Sequence, residues 1–130
     1  QALQNSQKDT ARKQDVGRVV SALQQYEADN GGYMPLDTSS SGNDFSNYPG
    51  KLSSGYSIVT QPWDQGMSGK TIIQASDVNS SEIDIFAGLF CPNSSDTSDP
   101  ENNSAVAIKL SSGSIYCVNV QGPITAEIYY

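Results

Sequence analysis

Val16, Val19, Val20, Leu23 and Tyr26 recur at i, i+3, i+4, i+7 and i+10, which places five apolar side chains on one face of a helix. Gln, Lys, Arg and Asp fill most positions between them, and the first proline is Pro35. Asp29-Asn30-Gly31-Gly32 then supplies residues that tolerate the left-handed conformation of a helix C-cap. The spacing predicts a helix from about residue 4 to 29 within an N-terminal segment 1–30, roughly 40 Å long at 1.5 Å per residue. The stripe fades toward the N-terminus, where residues 1–10 offer only Ala2 and Leu3. Half of this helix therefore has a face to bury and half does not. That asymmetry predicts a partner, or an upstream continuation, for the N-terminal half.

The rest of the chain differs in both charge and pattern. Lys8, Arg12, Lys13 and Arg18 balance Asp9, Asp15, Glu27 and Asp29 in the first thirty residues. Beyond them only Lys51, Lys70 and Lys109 face ten acids, so the whole net charge of −7 resides there. Residues 31–57 read as a connecting loop rich in Ser, Gly, Asn, Asp and Tyr, and 58–130 as a β region, the whole 1–130 being one domain. Period-2 alternation marks strand candidates at 56–60, 70–75, 83–89, 105–110 and 114–120. The last two are joined by Ser111-Ser112-Gly113 and read as a hairpin. Val106, Ile108 and Leu110 share one face, and Val118 and Val120 share another. The tail from Pro123 ends in Ile128-Tyr129-Tyr130, too apolar to be left loose.

Composition removes several functions. The chain contains no histidine, hence no Ser-His-Asp triad, no Cys-His dyad and no histidine metal ligand. Net −7 argues against a nucleic-acid partner, whose binding is driven by Lys and Arg releasing counterions. Leu, Ile, Val and Phe together number 26 of 130, at the border with disordered composition. Gly69-Lys70-Thr71 resembles the end of a phosphate-binding loop, but Asp64 stands where the required glycine would be. Asp37-Thr38-Ser39 and Asp96-Thr97-Ser98 have the form of aspartic-protease turns, yet both lie in polar stretches where ordinary turn chemistry accounts for them. Asp96, Asp99, Glu101 and Asn102 crowd one loop without the spacing of an EF-hand. Asn79-Ser80-Ser81, Asn93-Ser94-Ser95 and Asn102-Asn103-Ser104 fit the N-glycosylation pattern, which a chain rich in Asn and Ser produces by chance. The reading is of a protein that is not an enzyme and carries no cofactor and no metal.

Two cysteines are present, Cys91 and Cys117. They are either two buried thiols or a disulfide closing a 27-residue loop. In the chain-entropy model such a bridge stabilises by roughly 3 kcal/mol and implies an oxidising compartment.

The helix run Asp9-Thr10-Ala11-Arg12-Lys13-Gln14-Asp15-Val16, continuing through Val20-Ser21-Ala22-Leu23-Gln24-Gln25-Tyr26 to Asn30-Gly31-Gly32-Tyr33-Met34-Pro35, resembles the C-terminal half of a bacterial type IV pilin helix and its exit. The run 105–118, with Cys117 near its end, is similar to the family's late hairpin, and Cys91-Pro92 sits where its first cysteine would. The likeness covers most of the chain, although 36–80 matches only in general layout. It implies an α+β fold, a long N-terminal α-helix packed on a four-stranded antiparallel β-sheet, with a Cys91–Cys117 disulfide loop near the C-terminus. It also implies a structural subunit of an extracellular filament for attachment and twitching motility. Such a subunit self-associates, meets a pilus assembly machinery and host or neighbouring cells, and sits in the inner membrane before assembly. Lys8, Asp9, Arg12, Lys13 and Asp15 would then face sister subunits. The family's basic leader, cleavage site and glutamate-bearing apolar stretch have no counterpart in residues 1–130, so the membrane would be met only through a segment upstream of them. A pseudopilin of a type II secretion system, and a minor pilin acting as a tip adhesin, are the alternatives within the same fold.

Overall fold

The computed structural model describes residues 2–29, 52–61, 72–92, 104–120 and 126–129. Helix α1 spans Ala2–Asp29. It ends at the residue where the sequence places its stop, while the Asn30-Gly31-Gly32 cap lies outside the described residues. Its apolar stripe is buried as the periodicity requires: Val16, Val19, Val20, Ala22 and Leu23 are inside and Tyr26 is half-buried. Val16, Val19, Val20 and Leu23 each contribute roughly 2 kcal/mol of apolar burial, as an upper figure. Residues 3–8 are all exposed, Leu3 to 71%.

Five strands among the described residues form one sheet in the order β1-β2-β3-β4-β5. They are β1 (Ser57–Gln61), β2 (Glu82–Ala87), β3 (Ser104–Lys109), β4 (Ile115–Asn119) and β5 (Ala126–Tyr129). The sheet is mixed, which corrects the expected four-stranded antiparallel arrangement. β1 runs parallel to β2, Ser57 opposite Glu82 and Gln61 opposite Phe86, whereas the β2–β3, β3–β4 and β4–β5 pairs are antiparallel. Alternation in a sequence says which residues share a face; it carries no information on strand direction. The candidate strand at 70–75 is also corrected. Within its described part, Ile72 makes a single parallel bridge to Phe90 and a 3-10 turn begins at Ala75. The tail supplies a strand that the alternation had not marked.

Each sheet face carries its own core. Ile83 and Ile85 of β2, Val106 and Ile108 of β3, and Val118 of β4 pack against α1 with Leu110 and Val120. Val106 lies opposite Val118 in the hairpin register, so the two apolar sets expected on different faces enter one layer. Phe86, Ala105, Ala107, Ile115 and Cys117 point the other way and are covered by Ile73, Val78, Leu89 and Cys91. β3 is thus buried on both faces, as its position in the middle of the sheet requires. Gly88, at φ +80°, follows the last residue of β2. That left-handed backbone favours glycine, and it marks where the 83–89 run stops being strand.

Candidate functional site

Cys91 and Cys117 form a disulfide, with an S–S distance of 2.04 Å and Cα atoms 5.8 Å apart. Both are buried. Cys117 sits in β4, and the backbone N–H of Cys91 donates to Asn119 Oδ1 at 2.8 Å. The bridge pins the chain after β2 to β4 across the sheet face opposite the helix. The polar segment it encloses, including Asp96, Asp99, Glu101 and Asn102, lies outside the described residues. So do Asp37, Gly69, Lys70, Thr71 and most of the 31–57 loop.

The charged positions of α1 divide by where they point. Lys8 is exposed. Asp9 and Arg12 instead turn toward the β3–β4 turn of their own domain. Arg12 Nη1 donates to Asp9 Oδ1 at 2.8 Å and to Ser111 Oγ at 2.9 Å. Asp9 Oδ1 also accepts from the backbone N–H of Ser111 at 3.0 Å and from its hydroxyl at 2.9 Å. Burial alone would push the Asp9 carboxyl up, but the Ser111 donors and the Arg12 guanidinium outweigh it and hold the group below its ordinary value. The Arg12 guanidinium lies 5.2 Å from the centre of the Tyr56 ring, and Lys13 Nζ 5.6 Å from that of Tyr116, both within cation–π range. Burial raises the Tyr116 phenol above its ordinary value.

Asp15 departs furthest from the expected outward role. It is fully buried, its Oδ1 accepting from the Ser53 N–H at 3.0 Å and its Oδ2 from the Ser54 N–H at 2.6 Å. A carboxylate out of water needs such donors, and here two successive amides of the segment leading into β1 supply them. Asp15 is therefore a clamp between α1 and the entry to the sheet, and its carboxylate is not available to a neighbouring molecule. Three of the five positions expected to face sister subunits, Asp9, Arg12 and Lys13, likewise have contacts within the chain, and Lys8 alone stands wholly outward.

No family model, curated protein or solved structure matches the chain. What the geometry supplies is a two-part helix. Residues 15–23 hold the domain, residues 9–13 fasten its flank to the β3–β4 turn, and residues 3–8 lie off the sheet. Gly17 lies on the exposed side of the middle part, and a Cβ there would meet nothing within 4 Å. No helix among the described residues is long and apolar enough to cross a membrane.

Proposed function

We propose that the chain is a structural subunit of an extracellular type IV pilus filament, assembling through α1, and that the filament serves attachment and twitching motility. The observation that carries this reading is the first two turns of α1, which are helical although residues 3–8 are all exposed and none of the described strands covers them. Helices this short of tertiary support are marginal in water, so a lateral partner for residues 3–8 is the natural completion. The assembly surface is accordingly assigned to Leu3 and Lys8 and their exposed neighbours. Asp9, Arg12, Lys13 and Asp15 act indirectly, by fixing the angle at which that surface leaves the head. The buried disulfide suits a head exposed to an oxidising exterior. The subunit waits in the inner membrane before the assembly machinery incorporates it, and the finished filament meets host or neighbouring cells.

Immunogold electron microscopy of cells producing the full protein tests this, using antibodies raised against the 130-residue domain. Gold spaced along surface filaments is expected. Gold confined to filament ends would point to a tip adhesin. Gold restricted to the cell envelope, with no labelled filaments, would refute the pilus reading and favour a pseudopilin.

A further inference from the structure

At one end of the sheet, α1, the turn ahead of β2 and the β3–β4 turn enclose a cleft of about 250 Å³ whose walls include Arg12, Tyr56, Ser80, Ser81, Leu110 and Ser111. Lys109 also borders it, but its charge belongs elsewhere. The register sets Ile83 opposite Ile108 and so Glu82 opposite Lys109, which sends the lysine side chain to the sheet face away from α1. Arg12 is the cation that α1 brings to the cleft, and it is already paired with Asp9 at 2.8 Å. The site is therefore electrically balanced, while much of its hydrogen-bonding capacity is unused. Arg12 engages Nη1 with Asp9 and Ser111, and its Nε and Nη2 donors make no hydrogen bond among the described residues. The side-chain hydroxyls of Tyr56, Ser80 and Ser81 make none there either. Tyr56 and Leu110 form the apolar part of the wall, the Tyr56 ring lying 5.2 Å from the Arg12 guanidinium. Ser81 adds an irregularity. Its φ of +65° lies in the left-handed region, which a serine adopts at a cost and which concentrates at functional positions.

We propose that the cleft binds a single uncharged pyranose ring. An anion gains little from a guanidinium that Asp9 has neutralised, and a cation would be opposed by it. A purely apolar molecule would leave the free donors of Arg12 and the serine hydroxyls unmet, at a cost. A pyranose avoids both difficulties. Its hydroxyls each donate and accept, as do those of Ser80, Ser81 and Ser111, and their oxygens accept from the planar fork of Arg12. Its C–H face is apolar and has Tyr56 and Leu110 to lie against. Size limits the ligand further. Pockets for drug-sized molecules run to roughly 300–1,000 Å³, so this smaller space suits one ring and not a buried oligosaccharide. The ring comes either as a free hexose or as the terminal residue of a glycan. The inference does not rest on the filament reading and goes beyond it.

Heteronuclear NMR of the 130-residue protein tests it in two arms. Glucose, galactose and mannose are titrated in the first, and their methyl glycosides in the second. Saturable shifts of the Ser80, Ser81, Ser111 and Gly113 amides are expected with at least one hexose type. Tighter binding of its methyl glycoside marks a glycan end, and equal or tighter binding of the free hexose marks a free sugar. Tyr56→Leu should weaken the response about fivefold, on the scale of one aromatic contact, and Tyr56→Phe should keep most of it. Ser80→Phe, at an exposed rim position, should block the cleft without touching the core. Sodium glucuronate should bind no more tightly than glucose. The proposal is overturned if no sugar gives saturable shifts at these amides, if Ser80→Phe leaves the response intact, or if glucuronate binds more tightly than glucose.

Discussion

Asp15→Ala is the most informative single change in this fold. The wild-type carboxylate is buried and accepts from the amides of Ser53 and Ser54 at 3.0 and 2.6 Å. Each bond to a charged acceptor is worth about 1.5–3 kcal/mol, so removing both costs about 3–6 kcal/mol before compensation. Two terms offset this: the variant no longer desolvates a carboxylate, and the exposed Ser53 regains water at its N–H. The net loss should be about 2–4 kcal/mol. In a chain of 130 residues that corresponds to a fall in Tm of roughly 10 °C. Asp15→Asn should lose less, because its single oxygen still accepts from one amide while its NH2 opposes the other. Urea unfolding at neutral pH measures the difference, provided the m-value is unchanged. Amide exchange gives a second readout, with Ser53 and Ser54 accelerating more than the central strand residue Val106. A loss below about 0.5 kcal/mol for Asp15→Ala, or unchanged exchange at both serines, would refute the clamp.

Other changes test other parts of the structure. The double variant Cys91→Ala/Cys117→Ala should lose about 3 kcal/mol or somewhat more by denaturant unfolding, from the released loop constraint; equal stability would remove the disulfide from the account of the head. Gly17→Ala should raise stability by about 1 kcal/mol, since the added methyl meets nothing and the helix interior gains a better former; a lower Tm would contradict this. Asp9 is held below the ordinary aspartate value of 3.8 by the Ser111 donors and the Arg12 guanidinium. Its support of the helix–turn contact is therefore complete above the unfolded pKa and disappears as pH falls through the lower folded one. Carboxyl NMR should read a pKa under 3.8, and Asp9→Asn should flatten that part of the acid limb; a value at or above 3.8 would break the argument.

Much of α1 is legible in the sequence because helix burial is written at short range. The spacing of Val16, Val19, Val20 and Leu23 marks the buried face, and the scarcity of apolar residues before Asp9, only Ala2 and Leu3, marks the uncovered part. The β3–β4 hairpin is legible for the same reason, its turn lying between two alternating runs. The β1–β2 pair is not, because parallel pairing joins segments through a distant crossover. Ile72 and Ile73 misled in a simpler way: adjacent apolar residues fit a buried strand, while here one makes a single bridge and the other fills the core as part of a covering segment. Asp15 was hidden for a related reason. An acid beside Val16 on a helix reads as solvated, and its burial is decided by Ser53 and Ser54, 38 and 39 residues further along. The Asp9–Arg12–Ser111 contact was equally invisible, as it joins residues about a hundred apart.

The parallel edge also has a consequence for the order in which the sheet forms. β3 and β4 are joined through residues 110–114, whereas β1 reaches β2 only through residues 62–81. Closing a loop about four times longer costs roughly 1.2 kcal/mol more in chain entropy. β1 also gains its second anchor, the Asp15 clamp, only after α1 has docked. The hairpin is thus the nucleus that physics favours, and β1 is the late arrival that should depart first under stress. Exchange of Val59 slower than that of Val106 would reverse this order.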